Sequence, residues 1–237
     1  MLLRSASDRK GDSTVTTLFN ANTRSAYQAG YYTGAFTMKT LLCHGDFGLG
    51  ALNRNDGELV VLDGHAYRTD VDGATSELPE SYLTPYAAVL PFRAEHTFTA
   101  QRSTKAQFEQ QLATELPLGN RIWALRIHGH FDLVTAGAGE AQTAPYRPLA
   151  EVFATYHHLE HRNITGTLVA FHCPVFLTGV DQVGAHYHFL ADDHTRGGHV
   201  IDFRLTTTTV ETCEATSYTV DLPTGPGFTN LDLAPFH

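Results

Sequence analysis

The chain has 237 residues, of which 42% are hydrophobic and 17% charged, a composition typical of a folded protein with a well-buried core. The formal net charge is -9 and the sequence has no basic run, which argues against nucleic-acid binding because phosphate contacts need clustered lysines and arginines. No apolar run reaches membrane-spanning length, and the charged N-terminus is unlike a signal peptide, so the sequence predicts a cytoplasmic protein without a membrane partner.

The N-terminal part of the chain predicts short elements. Residues 1–13 look like a frayed tail, and residues 14–40 predict a short helical or mixed stretch. A glycine-rich segment, HGDFGLGALN, follows at His44–Asn53.

Two β-forming runs, Glu58–Leu62 and His65–Thr69, are joined by Asp63 and Gly64. A two-residue Asp-Gly connection matches the twist of paired strands, so this segment predicts a β-hairpin. The segment Glu77–Tyr86 contains prolines and predicts a loop.

Residues 104–116 predict an amphipathic helix, because Phe108, Leu112 and Leu116 recur at helical spacing and Thr104 can cap the first turn. The next segment, Trp123–Val134, alternates between apolar and polar residues and predicts a strand. Its apolar positions are Leu125, Ile127, Phe131 and Leu133. Its polar positions are Arg126, His128, His130 and Asp132.

The C-terminal part begins with an open loop at residues 135–146. It continues with a predicted helix at Pro148–His161, a buried strand from Gly166 to about Phe176 and a second hairpin at Gly184–Leu205. Strand signals outnumber helical ones and the helices occur singly, which predicts a mixed, strand-rich α+β (α/β) fold rather than a doubly wound parallel sheet.

Histidine is unusually frequent, with 14 residues, whereas the three cysteines form no Cys-x-x-Cys pair. Cys43, Cys173 and Cys213 are therefore predicted to be small buried hydrophobic residues rather than disulfide or zinc ligands. His157 and His161 are four residues apart on the predicted helix, but the HExxH signature of helical zinc sites is absent. We interpret them, with His158, as surface residues.

The second predicted hairpin places three histidines where they can share a metal ion. If Leu190 pairs with His199, then His188 lies diagonal to His199 on the same face of the sheet. His186 shares this face, because side chains two residues apart on a strand point the same way. A slip of one residue would turn His199 to the opposite face, so the prediction depends on the register.

Three neutral imidazoles around an open coordination position are the usual protein ligands of a catalytic zinc, whereas a structural zinc has four closed ligands. Cobalt, nickel or copper would also accept such ligands. The alternative interpretation is that His186, His188 and His199 are ordinary polar residues on a solvated strand face.

From about Thr17 to Leu233 the sequence resembles the acetolactate decarboxylase family. The most specific segment is HYHFLADDHTRGGHV at His186–Val200, with its His-x-His-Phe, acidic turn and Gly-Gly-His-Val order. The other matching segments are GDFGLGALN (Gly45–Asn53), DGELVVLDG (Asp56–Gly64), SELPESYLTPYA (Ser76–Ala87), PYRPL (Pro145–Leu149) and GTLVAF (Gly166–Phe171).

This resemblance implies a zinc-dependent decarboxylation of 2-acetolactate to acetoin, in which zinc chelates the hydroxyl and ketone oxygens of a small keto-acid substrate. It implies His186, His188 and His199 as zinc ligands and Glu58 as proton donor. It also implies a homodimer whose protomer, residues 14–237, is built from two halves with extended mixed and antiparallel sheets, approximately 14–160 and 161–237.

From the residues alone, Glu58 is predicted to be the first residue of a strand, with its side chain on the same face as Val60 and Leu62. A carboxyl group among apolar neighbours has a raised pKa and can carry a proton near neutrality. The alternative is an ordinary solvent-facing glutamate at a strand end.

The sequence departs from the family in two places. Gly137 stands where the resemblance implies an arginine that holds the substrate carboxylate, and the sequence up to His237 offers no equivalent of a C-terminal glutamate that reaches the metal in many members. The residues that can replace the arginine are Arg126, Arg147, Arg196, His128 and His130, and the sequence does not choose among them.

These residues also have simpler interpretations. His128 and His130 can be ordinary residues on a solvated strand face. His194 and Arg196 lie in the predicted hairpin turn, where they either make the turn soluble or gate the open zinc position. Two other functions stay open: a zinc-dependent lyase or isomerase acting on a different α-hydroxy ketone or β-keto acid, and an inactive homologue that binds a metal or metabolite.

Overall fold

The computed structural model describes residues 15–234, so the predicted tail at residues 1–13 lies outside the described part of the chain. The strands are β1 (Thr17–Ala21), β2 (Phe36–Thr37), β3 (Phe47–Ala51), β4 (Glu58–Leu62), β5 (His65–Thr69), β6 (Thr75–Glu77), β7 (Leu83–Thr84), β8 (Tyr86–Leu90), β9 (His96–Thr104), β10 (Ile122–Ala138), β11 (His157–Cys173), β12 (Gly184–Ala191), β13 (Gly197–Ala215) and β14 (Ser217–Asp221). The helices are α1 (Arg24–Gln28), α2 (Met38–Leu42), α3 (Lys105–Glu115), α4 (Leu149–Phe153) and α5 (Pro226–Thr229). The predicted strand-rich α+β class is confirmed.

A seven-stranded sheet contains the first predicted hairpin. Its strand order is β14-β1-β8-β3-β4-β5-β6, and β1 pairs with β14 in parallel while the other neighbours are antiparallel. The β4–β5 hairpin has the predicted bounds, and Asp63 and Gly64 have φ values of 51° and 80°. Positive φ at both central residues is the geometry that makes an Asp-Gly turn suitable for a tight hairpin.

A five-stranded sheet carries the second predicted hairpin. Its order is β10-β11-β12-β13-β9, and β10 also pairs with β13, so the long strands curl round into a barrel-like ring. Helix α3 packs into this sheet through Phe108 and Leu112. The predicted cap is confirmed, because the Thr104 side chain accepts from Gln107 N and the Gln107 side chain accepts from Thr104 N.

The two sheets pack face to face through an apolar layer. Phe47, Leu49 and Val60 of the seven-stranded sheet belong to one buried cluster with Phe171 and Leu190 of the five-stranded sheet. This contact brings the end of β4 against the strands β12 and β13. The predicted division into halves near residue 160 stays a prediction, and that position lies inside β11.

The helix predicted at Pro148–His161 is wrong. Only the short helix α4 forms, and β11 begins at His157, where it pairs with Ala138 at the end of β10. Cross-strand pairing over the full length of β10 overrides the local helical pattern, a non-local effect that spacing in the sequence does not report. His157, His158 and His161 therefore lie on a strand, and His161 is buried rather than on the surface.

Several smaller predictions also need correction. Strand β10 extends through residues that were predicted to form a loop. A bulge between Phe131 and Leu133 makes Val134 rather than Leu133 the buried residue. The glycine-rich segment forms β3, and the predicted proline loop carries β7. Cys173 and Cys213 are buried as predicted, but Cys43 is exposed.

The register of the second hairpin differs from the prediction by two residues. His188, and not Leu190, pairs with His199, and Leu190 pairs with Gly197. The turn is shorter than the one that the sequence predicts at Ala191–Gly198, because Gly197 and Gly198 belong to β13. A shift of two keeps the same side chains on the same face, so the predicted face of the three histidines is confirmed.

Within residues 15–234, no helix is both long and apolar enough to span a bilayer. The predicted homodimer and cytoplasmic location stay predictions.

Gly197 lets the β12–β13 hairpin approach the seven-stranded sheet closely. A Cβ atom at this position would contact the Thr69 side chain and would lie 2.5 Å from the backbone oxygen of Phe189. We therefore expect Gly197→Ala to lower the free energy of unfolding by about 1–3 kcal/mol, measured by urea denaturation. Gly225→Ala is the matched control, because a Cβ atom there meets nothing within 4 Å. Equal stability of both variants would contradict this close approach.

Candidate metal centre

Three imidazole nitrogens meet at one point between β12 and β13. His188 and His199 are directly opposite each other in the ladder, and His186 lies two residues before His188 on the same face. The Nδ1 atom of His199 is 3.2 Å from Nε2 of His188 and 3.3 Å from Nε2 of His186. These donor atoms lie within 4.8 Å of one another and form a group that can hold a metal ion.

The neighbouring sheet fixes the orientation of His188. Its Nδ1 lies 2.8 Å from the backbone oxygen of Leu59 on β4. Because a carbonyl oxygen only accepts, Nδ1 carries the proton and Nε2 keeps its lone pair directed at the other two histidines. An outer hydrogen bond of this type is the usual support of a metal-bound histidine.

Burial keeps the three imidazoles neutral. His186 and His188 are 9% and 1% exposed, and His199 is partly buried. Burial lowers the pKa of His186 and of His188 well below the usual value. Burial, with the positive charges of Arg24 and Lys105, lowers the pKa of His199 to about 4. Neutral imidazoles are the protonation state that a metal ion requires.

The spacing of these nitrogens fits zinc. Two ligands of a tetrahedral zinc at Zn–N distances of ~2.0–2.1 Å are about 3.3 Å apart. The measured separations of 3.2 and 3.3 Å match this value. The donor set therefore fits the metal that the sequence analysis predicts.

Glu58 enters the centre from β4. Its side chain is buried at 4% exposure, and Oε2 lies 3.6 Å from Nε2 of His188. The Tyr156 hydroxyl donates to Oε1 of Glu58. Burial raises the pKa of Glu58 to about 7, although the hydrogen bond from Tyr156 opposes this rise. The solvent-facing interpretation of Glu58 is therefore wrong.

A small pocket joins the histidines and Glu58. About 270 Å³ of space, part of it open solvent, lies between its lining atoms. The residues that line it besides the three histidines and Glu58 are Arg24, Tyr27, Gly50, Ala51, Tyr86, Phe153 and Tyr156. Arg24 was missed by the sequence analysis, because no motif distinguishes an arginine in the short stretch before Tyr27.

The proposed replacements for the missing family arginine lie away from this pocket. Arg126 pairs with Asp63 at 2.7 Å, and His128 lies 3.2 Å from an oxygen of Asp192. His130 contacts the Thr165 hydroxyl at 3.3 Å, and Arg147 donates to Gln142 at 3.2 Å. Arg196 is exposed in the turn. Their geometry gives no support to a role in substrate binding.

Gly137 lies beside the centre, directly opposite His199 in the β10–β13 ladder. A Cβ atom on Gly137 would lie 3.0 Å from Cδ2 of Tyr156. The Tyr156 ring, whose hydroxyl donates to Glu58, therefore occupies the space next to Gly137. A larger residue at position 137 would have to displace this ring.

The remaining histidines take structural or surface positions. His161 lies 3.0 Å from the backbone oxygen of Gly197 through Nε2 and supports the start of β13. The His194 ring lies 4.7 Å from that of Tyr67, and it does not line the pocket.

The comparisons with known proteins agree on one family. The family model described as alpha-acetolactate decarboxylase matches residues 18–235. The alpha-acetolactate decarboxylase of Lactococcus lactis is 36% identical over 83% of this chain and 84% of its own length, and that of Methanosarcina mazei is 32% identical over 91% and 75%. The crystal structure of the Bacillus subtilis strain 168 enzyme superposes with a TM-score of 0.89 at 30% identity, covering 92% of this chain and 94% of that one.

The metal content of histidine variants tests the ligand set. We expect His188→Ala to reduce bound zinc from about one equivalent per chain to near zero, because two imidazoles alone hold the ion weakly. His194→Ala is the control, since this exposed turn histidine lies outside the cluster. Inductively coupled plasma mass spectrometry after dialysis measures the zinc, and thermal unfolding checks that each variant folds. Stoichiometric zinc in folded His188→Ala would remove this residue from the ligand set.

Proposed function

The chain belongs to the alpha-acetolactate decarboxylase family and is a carboxy-lyase, and from this premise we propose that it converts 2-acetolactate to acetoin and carbon dioxide with a zinc ion held by His186, His188 and His199. The observation that carries the proposal is the meeting of three neutral imidazole nitrogens with a buried carboxyl group in one small pocket. Neutral imidazole and the tetrahedral spacing favour zinc as the resident metal.

The proposed reaction needs no organic cofactor, because the ketone of 2-acetolactate is itself the electron sink. Zinc, when bound, supplies a Lewis acid that stabilises negative charge on substrate oxygens as carbon dioxide leaves. The three histidines would hold the ion and would leave the side towards the pocket for substrate, since no carboxylate or thiolate joins them in the cluster within residues 15–234.

The reaction breaks one carbon–carbon bond and needs one proton. The bond between the carboxylate carbon and the hydroxyl-bearing carbon breaks, and its electron pair passes towards the adjacent ketone. We assign to Glu58 the donation of a proton that completes the neutral hydroxyketone, because it is the buried carboxyl group nearest to the ligand nitrogens. Tyr156 orients this carboxyl group through its hydrogen bond to Oε1.

Aromatic rings line part of the pocket. The Phe153 ring lies 5.8 Å from that of His199, and Tyr27 stacks on Tyr86 with ring centroids 5.3 Å apart. An apolar lining of this kind lowers the local dielectric constant and so strengthens the electrostatic interactions inside the pocket.

Turnover of racemic 2-acetolactate by the zinc-loaded protein tests this function directly. We expect stoichiometric acetoin and carbon dioxide, loss of turnover after treatment with a chelator, and recovery on addition of zinc. A folded protein that binds zinc and forms no acetoin would contradict the substrate assignment. That result would favour a different α-hydroxy ketone or β-keto acid, or an inactive homologue.

Glu58→Gln tests the proton donor separately from the metal. The amide keeps the shape of the side chain but donates no acidic proton, so we expect kcat to fall by about 100- to 10,000-fold with zinc content unchanged. Glu77→Gln is the matched control, because this exposed glutamate pairs with His65 away from the pocket. Full activity of Glu58→Gln would exclude the assigned role.

A further inference from the structure

One guanidinium group faces the metal centre, and it comes from neither ligand strand. Arg24 is the first residue of α1 and lines the pocket with the three ligand histidines. It also lines an outer opening, together with Lys105 and Gln182, that shares two of those histidines. Arg24 therefore lies where the inner pocket meets its opening.

The backbone of Arg24 is fixed against the loop that precedes β12. Its amide donates to the backbone oxygen of Val180 at 2.9 Å, and the amide of Ser25 donates to Gly179 at 2.9 Å. The Thr23 side chain caps the first turn of α1. Because this loop leads directly into the strand that carries His186, the backbone of Arg24 is held at a fixed position relative to the ligand strand.

Within residues 15–234, no carboxylate forms a salt bridge with the guanidinium group, although its positive charge acts on Glu58 and opposes the rise of the Glu58 pKa. In the same part of the chain, the Nε of Arg24 is buried without a hydrogen-bond partner. The Cζ atom of Arg24 lies over the face of Tyr27, 6.0 Å from the ring centroid. Burying such a donor unpaired is costly, so the arrangement suits an anion that arrives from solution.

Other cations near or on these sheets already have partners. Lys105 donates to the backbone oxygen of Ile201 at 3.3 Å and lies 5.6 Å from the Tyr187 ring centroid. Arg126 also has a buried Nε without a partner in the described chain, but its guanidinium group pairs with Asp63 and does not line the pocket. Within residues 15–234, Arg24 combines a buried Nε without a partner, the lack of a salt bridge and a place in the pocket.

We propose that Arg24 binds the carboxylate of the substrate and so sets the specificity of the site for a keto acid over a neutral hydroxyketone. This inference rests on the proposed function, which requires a substrate with one carboxylate. A guanidinium group presents parallel N–H donors that match a carboxylate in a bidentate pair. Glu58 lines the inner pocket but not the outer opening, whereas Arg24 lines both. Arg24 and the proton donor would therefore contact the substrate from different directions.

The kinetic effect follows from the change of charge during the reaction. The carboxylate loses its charge as it becomes carbon dioxide, so its pair with Arg24 is stronger in the ground state than in the transition state. Arg24 therefore contributes mainly to KM, whereas a group that acts in the chemical step contributes mainly to kcat.

Steady-state kinetics of Arg24→Gln tests this division. We expect KM for acetolactate to rise about 10- to 100-fold while kcat changes by less than about fivefold, with Arg24→Lys intermediate. Arg121→Gln removes an exposed arginine that pairs with Glu214 away from the pocket and serves as control, with KM within about threefold of the wild type. An unchanged KM in Arg24→Gln, or an equal rise in Arg121→Gln, would overturn the assignment.

Binding of unreactive compounds gives a second readout that does not depend on turnover. The zinc-loaded proteins are titrated by calorimetry with 2,3-dihydroxy-2-methylbutanoate and with butane-2,3-diol, which is the same molecule with hydrogen in place of the carboxylate. We expect Arg24→Gln to weaken the carboxylate compound about 10- to 100-fold and to leave the diol unchanged. Equal weakening of both compounds would indicate a structural role for Arg24 and contradict carboxylate recognition.

The two proposals fail in different ways. If the wild type makes no acetoin but Arg24→Gln still loses selective binding of the carboxylate compound, the acetolactate assignment is wrong and the anion site stands. If the wild type makes acetoin and Arg24→Gln behaves as the wild type in both assays, the Arg24 assignment is wrong and the proposed function stands.

Discussion

The pairing of His188 with His199 across β12 and β13 is the contact on which the centre depends. It sets two imidazoles side by side, and the pleat of β12 adds His186 on the same face. The short turn before Gly197 fixes this register, and Gly197 allows the hairpin to lie against Phe189 and Thr69 without a side chain between them. A shift of one residue would remove His199 from the group and leave two donors, too few for a stable zinc site.

The functional groups come from three separate parts of the chain. The five-stranded sheet supplies the histidines, β4 of the seven-stranded sheet supplies Glu58, and α1 supplies Arg24. The apolar layer between the sheets holds the first two together, and the hydrogen bond from His188 to the oxygen of Leu59 links them at the centre itself. This bond joins His188 to β4, the strand that carries Glu58. The packing of the two sheets, rather than a loop, therefore sets the distance between the three histidines and Glu58.

Local patterns predict the parts of the structure that local chemistry determines. The Asp63-Gly64 turn, the Thr104 cap and the shared face of the histidines follow from short-range rules and are confirmed. The helix predicted at Pro148–His161 is wrong, because pairing with β10 extends β11 back to His157. The predicted register of the β12–β13 hairpin is wrong by two residues for a similar reason. Gly197 and Gly198 are residues typical of turns, but here they lie in the strand and allow close packing. Arg24 could not be found from spacing, because only folding brings it to residues more than 150 positions away along the chain.

The central claim is that three imidazole nitrogens hold one zinc ion and leave part of its coordination sphere open. Anomalous diffraction at the zinc edge from crystals of the zinc-loaded protein measures this directly. The account predicts one ion about 2.0–2.1 Å from nitrogens of His186, His188 and His199, with only water or substrate oxygens completing the sphere. An ion bound elsewhere, one of these rings turned away, or a fourth side chain closing the sphere would contradict it.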